Sequence, residues 1–269
     1  MPQLHIIVCV KQVPDPEAPP AGFKLDPETR APVSVPGFPP VISTFDEHAV
    51  EAALRIKDVQ GGKITIISLG VDLLREVVKK PISMGADELI LLEDPAFAGG
   101  DSWSTAYALA AAIQKVGRFD LIFCGRQAAD TDAGQVGSLI AEILGLPQVT
   151  LARKIEPAGG KLTVQRVTPY GYEVVETDMP ALITVSNELG KPRYPTIRGI
   201  VVARNKSPVV WTPADLGIDP AQVGSAGGRI QMRKIFQPIY ENKCEMVAGA
   251  DETESGGNLA QKMAQVKLL

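Results

Sequence analysis

Residues 119–150, FDLIFCGRQAADTDAGQVGSLIAEILGLPQVT, decide the fold class, because they hold a strand pattern, a polar turn and a helix pattern in succession. The apolar run 121–123 is typical of a strand that is covered on both faces. The residues after Gly134 form an amphipathic run, as in a helix that packs on a sheet. The turn between them carries two acids and two glycines, although an ordinary connection needs one glycine and one cap. This turn is therefore expected to let a ligand approach the backbone.

The first half of the chain repeats this alternation of strand and helix patterns. Continuous apolar runs predict strands, and amphipathic runs predict helices. The strands are expected at 4–10, 63–70, 88–93 and 119–125, and the helices at 45–57, 71–84 and 102–116. Such alternation predicts an α/β fold with a doubly wound, mainly parallel sheet.

Local signals refine these boundaries. The motifs Ser43-x-x-Asp46 and Thr44-x-x-Glu47 both fit a capping box, so the start of the first helix is well defined. Pro81 lies inside the second helical pattern and is expected to kink or end that helix. The proline-rich stretch before the first helix predicts a long loop or hairpin at 14–40.

The pattern changes after Pro147, where strand-like runs follow one another without helices between them. They lie at 149–156, 161–168, 172–177 and 181–186. These runs predict an antiparallel extension of the same sheet. The stretch from 205 onward is rich in Gly, Pro and charge and ends in a short helical pattern. We therefore predict an α/β nucleotide-binding domain at 1–204 and a C-terminal arm at 205–269 that wraps a neighbouring subunit.

The composition excludes several classes of function. The 269 residues are 45% hydrophobic and 22% charged with a net charge of −4, which is the balance of a soluble globular protein. No basic block of the kind that binds nucleic acid is present. No apolar run is long enough to span a bilayer, and the first run reads as a strand and not as a signal peptide, so membrane insertion is not expected. The three cysteines lie far apart in sequence. They are therefore expected to be free thiols in a reducing cytoplasm and not a disulfide framework.

Catalytic and metal-binding motifs are absent from the sequence. It lacks G-x-G-x-x-G after the first strand, G-x-x-x-x-G-K-[ST], C-x-x-C, H-E-x-x-H and G-x-S-x-G. His5 and His48 have no other histidine near them in sequence and are expected to be structural. Because no nucleophile–base pair is recognisable, we expect a binding protein with no catalytic residue and no metal site.

The polar turn is the best candidate for a binding site. In open α/β sheets, ligands lie beyond the carboxyl ends of the strands, where a helix N-terminus favours phosphate. Gly134 and Gly137 would let a phosphate touch the backbone, and the hydroxyl groups of Thr131 and Ser138 would donate to it.

Other residues are expected around the same crevice. Asp130 and Asp132 are interpreted as helix caps or as acceptors for ribose hydroxyls, since carboxylates repel phosphate. The backbone of Cys9 and Leu69 would hold an adenine, with the turn at 43–46 facing it. The alternative for each of these positions is structural: a tight turn with an Asp cap, plain core or plain cap.

Several segments together resemble the beta subunit of electron transfer flavoprotein, the ETF beta / FixA family. They are HIIVCVKQVPD (5–15), STFDEHAVEAALRIK (43–57), SMGADELILL (83–92), the opening stretch and YEVVETDMPALITVSNELGKPRYPTIRGI (172–200). The resemblance runs from residue 4 to about 236. Glu173-x-Val175-x-x-x-x-Pro180-x-Leu182-Ile183-Thr184 matches the family signature. Just upstream, the sequence has Pro169-Tyr170-Gly171 where the family usually has an acid and two glycines.

The resemblance implies a heterodimer with an alpha subunit, which would hold most of the contacts to an FAD that the two subunits share. The beta subunit would contribute an α/β domain of the adenine nucleotide alpha hydrolase-like type. It would also bind its own nucleotide, which is AMP in ordinary members and a second FAD in electron-bifurcating members. Carried over by position, the cofactor-binding residues are Cys9, Ser43, Thr44, Phe45, Asp46, Leu69, Arg126, Asp130, Thr131, Asp132, Ala133, Gly134, Gln135, Val136, Gly137, Ser138 and Ala141. Phe45 matches an aromatic residue near the alpha-subunit flavin, whereas Pro16 replaces another family aromatic.

The resemblance also implies a docking surface and a redox role. Tyr194, Ile197 and Arg198 match the loop that docks on dehydrogenase or quinone-reductase partners, with Ile197 at the position of an anchoring leucine. The chain would be an electron carrier, redox-active only through bound flavin. The stretch after Asp130 resembles the bifurcating members, and the small residue Gly134 would leave room for a diphosphate, so a second FAD is favoured over AMP.

Two other interpretations remain open from the sequence. A stand-alone domain of the universal-stress type, binding AMP or ATP, would share the sheet but would not account for the match at 170–200 or for the arm. An adenylating enzyme of the same fold would need a pyrophosphate-binding motif near residue 14, where the sequence reads PDPEAPP. Flavin content distinguishes these classes.

Overall fold

The computed structural model describes residues 3–19, 22, 24–26, 32–33, 35–234, 236 and 244–268. These residues divide into two compact units, Met1–Met232 and Arg233–Leu269. The expected loop or hairpin at 14–40 and the expected C-terminal arm each include residues outside the described part. Among the described ones, two short strands at Lys24–Leu25 and Pro32–Val33 pair in antiparallel fashion, as a hairpin does.

The first unit holds all of the strands that the described residues form. They are β1 (His5–Val10), β2 (Gln12–Val13), β3 (Lys24–Leu25), β4 (Pro32–Val33), β5 (Val41–Ile42), β6 (Lys63–Gly70), β7 (Glu88–Glu93), β8 (Leu121–Gly125), β9 (Gln148–Ala158), β10 (Lys161–Thr168), β11 (Gly171–Asp178), β12 (Ala181–Val185) and β13 (Val209–Trp211). Its helices are α1 (Thr44–Gln60), α2 (Arg75–Val78), α3 (Lys80–Met84), α4 (Ser102–Val116), α5 (Val136–Leu144), α6 (Ile197–Asn205) and α7 (Pro213–Leu216).

One large sheet organises this unit, with the strand order β11-β10-β9-β12-β8-β1-β6-β7-β13. Every neighbouring pair from β9 to β13 in that order is parallel. From β1 the chain passes through α1 to β6 on one side, and from β8 it passes through α5 toward β9 on the other. The strand order thus reverses between β1 and β8, and the predicted doubly wound, mainly parallel sheet is confirmed.

Helices cover both faces of the parallel strands. Ile6 and Val8 of β1 pack in the core under α1 and α3, whereas Ile7 and Cys9 pack in the core under α4 and α5. A strand buried on both faces needs a continuous apolar run, because its side chains alternate between two cores. Each fully buried Ile or Leu contributes roughly 1.5–3 kcal/mol relative to an exposed one, so these runs account for much of the fold's stability.

The antiparallel extension is confirmed for β9, β10 and β11, which pair in that way. The strand predicted at 181–186 does not belong to this extension. It forms β12, which lies between β8 and β9 and is parallel to both. Its five residues are all buried, as expected of an interior parallel strand and not of a half-exposed antiparallel one.

The segment 205–232, which the sequence analysis assigns to the arm, lies in the first unit. β13 adds a strand at the edge of the sheet beside β7, and α7 packs near α4. The boundary between the two compact units falls instead at Met232 and Arg233. Whether the remainder packs on another subunit stays a prediction.

Two helix starts differ in detail from the predictions. The helix α1 begins at Thr44, but neither expected capping box forms: the N-cap is Ser43, whose side chain makes no cap hydrogen bond, and Thr44 is already the first helical residue. Asp46 instead bonds elsewhere, and Glu47 pairs with Lys80. The helical pattern at 71–84 is divided into α2 and α3, with Pro81 in the first turn of α3. Pro81 is tolerated there, since first-turn N–H groups have no helical partner to lose.

The second unit contains one helix among its described residues, α8 (Glu252–Gln265), which is longer than the short pattern predicted at the end of the chain. Asp251 caps it by accepting the backbone N–H of Glu254 at 2.8 Å. Lys262 pairs with Glu245 within the same unit. No residue of α8 is buried within the chain, so the helix has an apolar side without a core of its own.

Candidate functional site: a crevice between β1 and β8

The crevice lies where the carboxyl ends of β1 and β8 meet, at the reversal of strand order. The N-terminus of α1 approaches it from one face of the sheet and the N-terminus of α5 from the other. In doubly wound sheets this is the point at which the loops diverge and leave a groove for a ligand. The predicted cofactor-binding residues before Ala141 come from these two helix starts and from the ends of β1, β6 and β8.

Asp46 joins the two strands at the floor of the crevice. Its carboxylate accepts the backbone N–H of Lys11 at 2.8 Å and that of Gly125 at 3.1 Å. Burial raises the pKa of Asp46 to about 7, against the opposing effect of these two hydrogen bonds. Asp46 therefore acts as a structural bridge that titrates near neutrality, and it does not cap α1.

Gly125 is required for this arrangement. A Cβ atom at this position would lie 2.5 Å from Asp46 Oδ1 and 2.8 Å from the Phe45 backbone carbon. Both distances are shorter than any tolerated contact, so a side chain here would push α1 away from β8. The glycine in CGR thus allows the start of α1 to approach the strand end.

The polar turn is held by interactions that offset its acidic charge. Lys11 Nζ bonds both carboxylate oxygens of Asp130, at 2.7 and 2.8 Å. The side-chain amide of Gln127 donates to Asp132 at 2.7 Å. Ser43, fully buried, accepts the backbone N–H of Ala129 and so ties the turn to the start of α1. The interpretation of Asp130 and Asp132 as caps of α5 is wrong, because the N-cap of α5 is Gln135 and the two carboxylates bond Lys11 and Gln127.

The start of α5 is left open. Its N-cap residue is Gln135, whose side chain makes no cap hydrogen bond. The residues from Asp130 to Gln135 are all exposed, while Val136 and Ser138 are half-buried. Backbone N–H groups in a first helical turn lack partners in the helix, and they carry a partial positive charge. This helix start is therefore available to an anionic group.

The two glycines of the turn have different roles. Gly134 has φ +63°, a left-handed conformation that favours glycine, and an added Cβ would meet nothing closer than 3.5 Å. An added Cβ at Gly137 would lie 2.7 Å from Thr184 Cγ2 on β12. Gly137 therefore lets α5 pack on the sheet, and the interpretation that its missing Cβ makes room for phosphate is wrong. Gly134 is needed for its backbone conformation. The expectation that its small size makes room for a diphosphate therefore finds no support.

The ends of β1 and β6 line the α5 side of the crevice. Cys9 is buried there beside Cys124, and Leu69 is half-buried against the same core. A hydrogen bond with Cys9, together with burial, raises the pKa of the Cys124 thiol, so the Cys124 thiol stays protonated. On the opposite, α1 side of the sheet, Ser68 is fully buried near the end of β6 and has a hydroxyl without a hydrogen-bond partner in the described structure. An orphaned buried hydroxyl is a donor that a ligand can satisfy.

Phe45 and Arg126 form the rim of the crevice next to β12. The guanidinium of Arg126 lies 5.5 Å from the centre of the Phe45 ring, which is within cation–π range. Arg126 also approaches Ser186 Oγ at 3.5 Å. The Ser186 hydroxyl bonds Glu188 and is the main reason why the pKa of that carboxyl is lowered. Thr44, exposed, lies beside Phe45 at the helix start.

A cavity of about 210 Å³ adjoins the turn. Its walls come from the proline-rich loop, including Pro16 and Phe38, and from Ala129 and Asp130. The loop therefore covers part of the crevice beside the polar turn. Ala141, by contrast, is fully buried in the core under α5.

The predicted docking residues lie away from the crevice, around the start of α6. The side chains of Tyr194 and Ile197 are 89% and 85% exposed, and Arg198 is exposed as well. Gly199 faces α3, where an added Cβ would lie 2.1 Å from the Ser83 carbonyl oxygen. The contact between α3 and α6 therefore fixes the helix with Ile197 directed outward.

Sequence reasoning missed three residues of the crevice: Lys11, Gly125 and Gln127. Lys11 had a usable signal, since a cation closes an otherwise apolar strand that ends at the expected site. Gly125 directly follows a buried strand, which also marks a close approach of the backbone. The partner of Gln127 depends on tertiary contacts, so no local pattern indicates it.

The part of the chain that the structure describes contains no group of three or more His, Cys, Asp or Glu side chains that would hold a metal ion. Within the same residues, no helix is both long and apolar enough to cross a bilayer. These two findings concern the described residues alone.

The fold defines an α/β protein of the doubly wound class, with a candidate ligand crevice at the reversal of strand order. Residues 39–216 match the electron transfer flavoprotein domain family. The chain is 41% identical over 261 residues to electron transfer flavoprotein subunit beta of Thermoanaerobacterium thermosaccharolyticum, covering 97% of this chain and 98% of that protein. It is 43% identical over 275 residues to the subunit beta of Megasphaera elsdenii, covering 99% and 100%.

A further relative is the caffeyl-CoA reductase-Etf complex subunit CarD of Acetobacterium woodii, 37% identical over 267 residues that cover 99% of this chain and 100% of that protein. The chain belongs to the electron transfer flavoprotein family, and its full-length relatives include beta subunits. The family resemblance seen in the sequence is confirmed. Membership of this family implies flavin binding and an alpha-subunit partner.

Proposed function

We propose that this protein is the beta subunit of a heterodimeric electron transfer flavoprotein that carries electrons between dehydrogenases and an acceptor through bound FAD. The observation that carries the proposal is the open crevice at the reversal of strand order, in a chain of this family. The chain would act as an electron carrier and not as an enzyme with its own catalytic residues. Its free cysteines suit the cytoplasm.

The residues of the crevice fit a nucleotide. The open helix start of α5 would hold phosphate oxygens through backbone N–H groups, with the hydroxyls of Thr131 and Ser138 beside it. The Lys11–Asp130 ion pair reduces the negative charge that a phosphate would meet. The backbone at Cys9 and Leu69 would bind the base.

Two cofactor sites follow from this proposal. Phe45 and Arg126 would face the FAD shared with the alpha subunit, and the α5 crevice would hold the second nucleotide. We propose a second FAD there instead of AMP, because the exposed turn leaves the helix start open for a diphosphate that continues into solvent or toward a partner subunit. Bound FAD supplies one- and two-electron chemistry, and a second FAD is what electron bifurcation requires.

The segment around α6 would dock on redox partners. The exposed side chains of Tyr194, Ile197 and Arg198 combine an aromatic, an aliphatic and a cationic group, as protein interfaces often do. The partners would be flavin-dependent dehydrogenases or quinone reductases. The caffeyl-CoA reductase complex of the Acetobacterium woodii relative is a precedent for such an assembly.

The test is co-expression of the chain with an electron transfer flavoprotein alpha subunit of the same organism, followed by sedimentation and visible absorbance. We expect a yellow one-to-one heterodimer, and a nearly colourless, poorly soluble product when the chain is expressed alone. The second compact unit, whose described helix has no buried residue, is the physical reason to expect poor solubility. A stable yellow monomer would contradict the heterodimer, and a colourless heterodimer would contradict the flavin role.

A further inference from the structure

Glu51 is a buried carboxylate on α1 that binds two arginines. Glu51 is only 4% exposed. Arg55, one turn later on α1, donates to Oε1 at 2.9 Å. Arg193 donates to Oε2 twice, from its backbone N–H at 3.1 Å and from Nε at 2.9 Å. One carboxylate therefore joins α1 to a segment that is 142 residues away in sequence.

The segment so held is residues 189–193, which we call the strap. Besides Glu51, the strap is held by Arg55, whose guanidinium donates to the Leu189 carbonyl at 2.8 Å and to the Lys191 carbonyl at 3.4 Å. The Arg193 guanidinium also bonds Asp58 at 2.7 Å. Leu189 is the strap's only buried residue, so polar contacts to α1 largely fix its path.

The electrostatics of this cluster favour a fixed geometry. Burial alone would raise the pKa of Glu51, but the hydrogen bonds from Arg193 and Arg55 outweigh it and hold that pKa below its usual value. The same contacts raise the pKa of Arg193. Bidentate arginine–carboxylate contacts are directional, so they restrain orientation as well as distance.

An exposed apolar surface follows the strap directly. Tyr194 is the next residue, and the outward side of α6 presents Ile197, Ile200 and Val201, each more than half exposed. Exposed cations, Lys191, Arg198 and Arg204, lie beside these residues in sequence. The surface thus combines an apolar centre with a basic rim, which fits a partner protein that has an apolar pocket with an acidic border.

We infer that Glu51 is a positioning residue that holds the strap so that Tyr194 and the outward side of α6 form one preorganised docking surface for an acidic-rimmed redox partner. The inference rests on the docking role proposed above. α6 is fixed independently by Gly199 and Ala203 against α3, whereas Tyr194 is positioned through Arg193. Loss of Glu51 would therefore loosen the part of the surface at Tyr194 and leave the part on α6 in place.

The experiment uses the Glu51→Gln variant of the flavin-loaded heterodimer. Hydrogen–deuterium exchange of amides 189–196 should increase about tenfold, since Arg193 loses a charged acceptor. With a flavin-dependent acyl-CoA dehydrogenase as the probe partner, the KM for the heterodimer should rise roughly three- to tenfold with little change in kcat. Reduction by dithionite, which needs no docking, should be unchanged.

A matched control is Glu93→Gln. Glu93 also accepts two bonds from an arginine, Arg75, and one from a backbone N–H, that of Leu73, but it lies at the end of β7. The Glu93→Gln variant should leave both the exchange at 189–196 and the KM unchanged. If Glu51→Gln lowers folding yield, Arg193→Gln removes the same contact from the strap while Glu51 keeps Arg55, and it should give the same two changes.

A double-mutant cycle with Ile197→Ala separates the two proposals. Non-additive effects on KM would show that Glu51 acts through the docking surface. Unchanged exchange at 189–196 in both Glu51→Gln and Arg193→Gln would overturn the positioning role, even if Ile197→Ala weakens docking. If exchange at 189–196 rises in Glu51→Gln and Arg193→Gln but the KM of Ile197→Ala is unchanged, the positioning of the strap is supported and the docking role is refuted.

Discussion

Asp46 shows how one residue can serve structure and titrate near neutrality. Burial raises its pKa to about 7 from the ordinary 3.8, although the N–H groups of Lys11 and Gly125 favour the charged form. The folded protein therefore keeps a proton between these pH values that the unfolded chain has released. The stability gained from the protonated group is complete below about pH 4 and is lost as the pH rises through about 7.

We predict that Asp46→Asn reduces the pH dependence of stability. The amide has the same size but cannot ionise, so the penalty that builds up between about pH 4 and about pH 7 is removed. Between about pH 5 and about pH 8, the wild-type free energy of unfolding should fall by roughly 2–3 kcal/mol relative to the variant. Urea denaturation at both pH values measures this difference. Glu142→Gln, on the exposed side of α5, serves as a control that should match the wild type, and equal pH slopes for Asp46→Asn would refute the prediction.

The glycines of the crevice show what single positions reveal in the sequence. A glycine between a strand and a helix predicts some close approach or special conformation, and Gly125, Gly134 and Gly137 all fulfil that expectation. The sequence does not distinguish the reasons, which are contact with α1, a left-handed φ and contact with β12. The choice depends on which side of the backbone faces a neighbour, and that is set by tertiary packing.

At the scale of elements, long periodic patterns were predictable and short ones were not. α4 begins and ends as predicted at 102–116, since Asp101 caps it and its apolar side is continuous. β13 has three residues and a single partner strand, so no local period identifies it. The sequence predicts the strand that forms β12 but not its parallel pairing, because consecutive strands without helices between them favour antiparallel neighbours.

The helix α6 carries the docking prediction. Ile197 is 85% exposed and does not pack inward, so Ile197→Ala should change the unfolding free energy by no more than about 0.5 kcal/mol. Loss of an anchoring side chain from a partner pocket should cost about 1–2 kcal/mol of docking, a roughly five- to thirtyfold weaker interaction. Flavin content should stay intact. Partner-dependent electron transfer and thermal denaturation of the same preparation measure both effects.

The control for this helix is Val59→Ala. Val59 is 83% exposed near the end of α1, so it matches Ile197 in exposure and in aliphatic character. It should affect neither stability nor partner turnover. Reduced stability with normal turnover in Ile197→Ala would show that the residue has a structural role only.

At the scale of the whole molecule, the sequence predicted the class of sheet but not its strand order. Alternating strand and helix patterns imply a doubly wound sheet, because right-handed crossovers place helices on both faces. The insertion of β12 between β8 and β9 depends on long-range pairing that leaves no local trace. The reversal of strand order lies at the end of β8, so the candidate crevice is where the sequence predicts it, because ligand grooves follow from topology more than from individual side chains. The hydrogen bonds between the residues of the crevice cannot be predicted from the sequence, because most of them join segments that are distant along the chain.

The nucleotide content of the assembled protein decides the remaining cofactor question. We predict two FAD and no AMP per heterodimer, because the start of α5 is uncapped, its flanking turn is exposed, and Lys11 offsets the charge of Asp130. Denaturing the purified heterodimer and quantifying the released nucleotides by chromatography measures this directly. One FAD and one AMP would place the protein among the ordinary electron carriers.

Two glycines that flank α5 test whether the crevice holds that second nucleotide. Gly134 and Gly145 have nearly equal φ, +63° and +65°, and an added Cβ at either meets open space or ordinary contacts. Alanine at each should therefore cost a similar strain of about 1 kcal/mol. Only Gly134 precedes the helix start that would bind phosphate, so Gly134→Ala should lower occupancy of the second site severalfold while Gly145→Ala leaves it full. The shared FAD should be retained in both variants. Equal occupancy of the second site in the two variants would mean that the turn after β8 is a structural connection and that the nucleotide binds elsewhere.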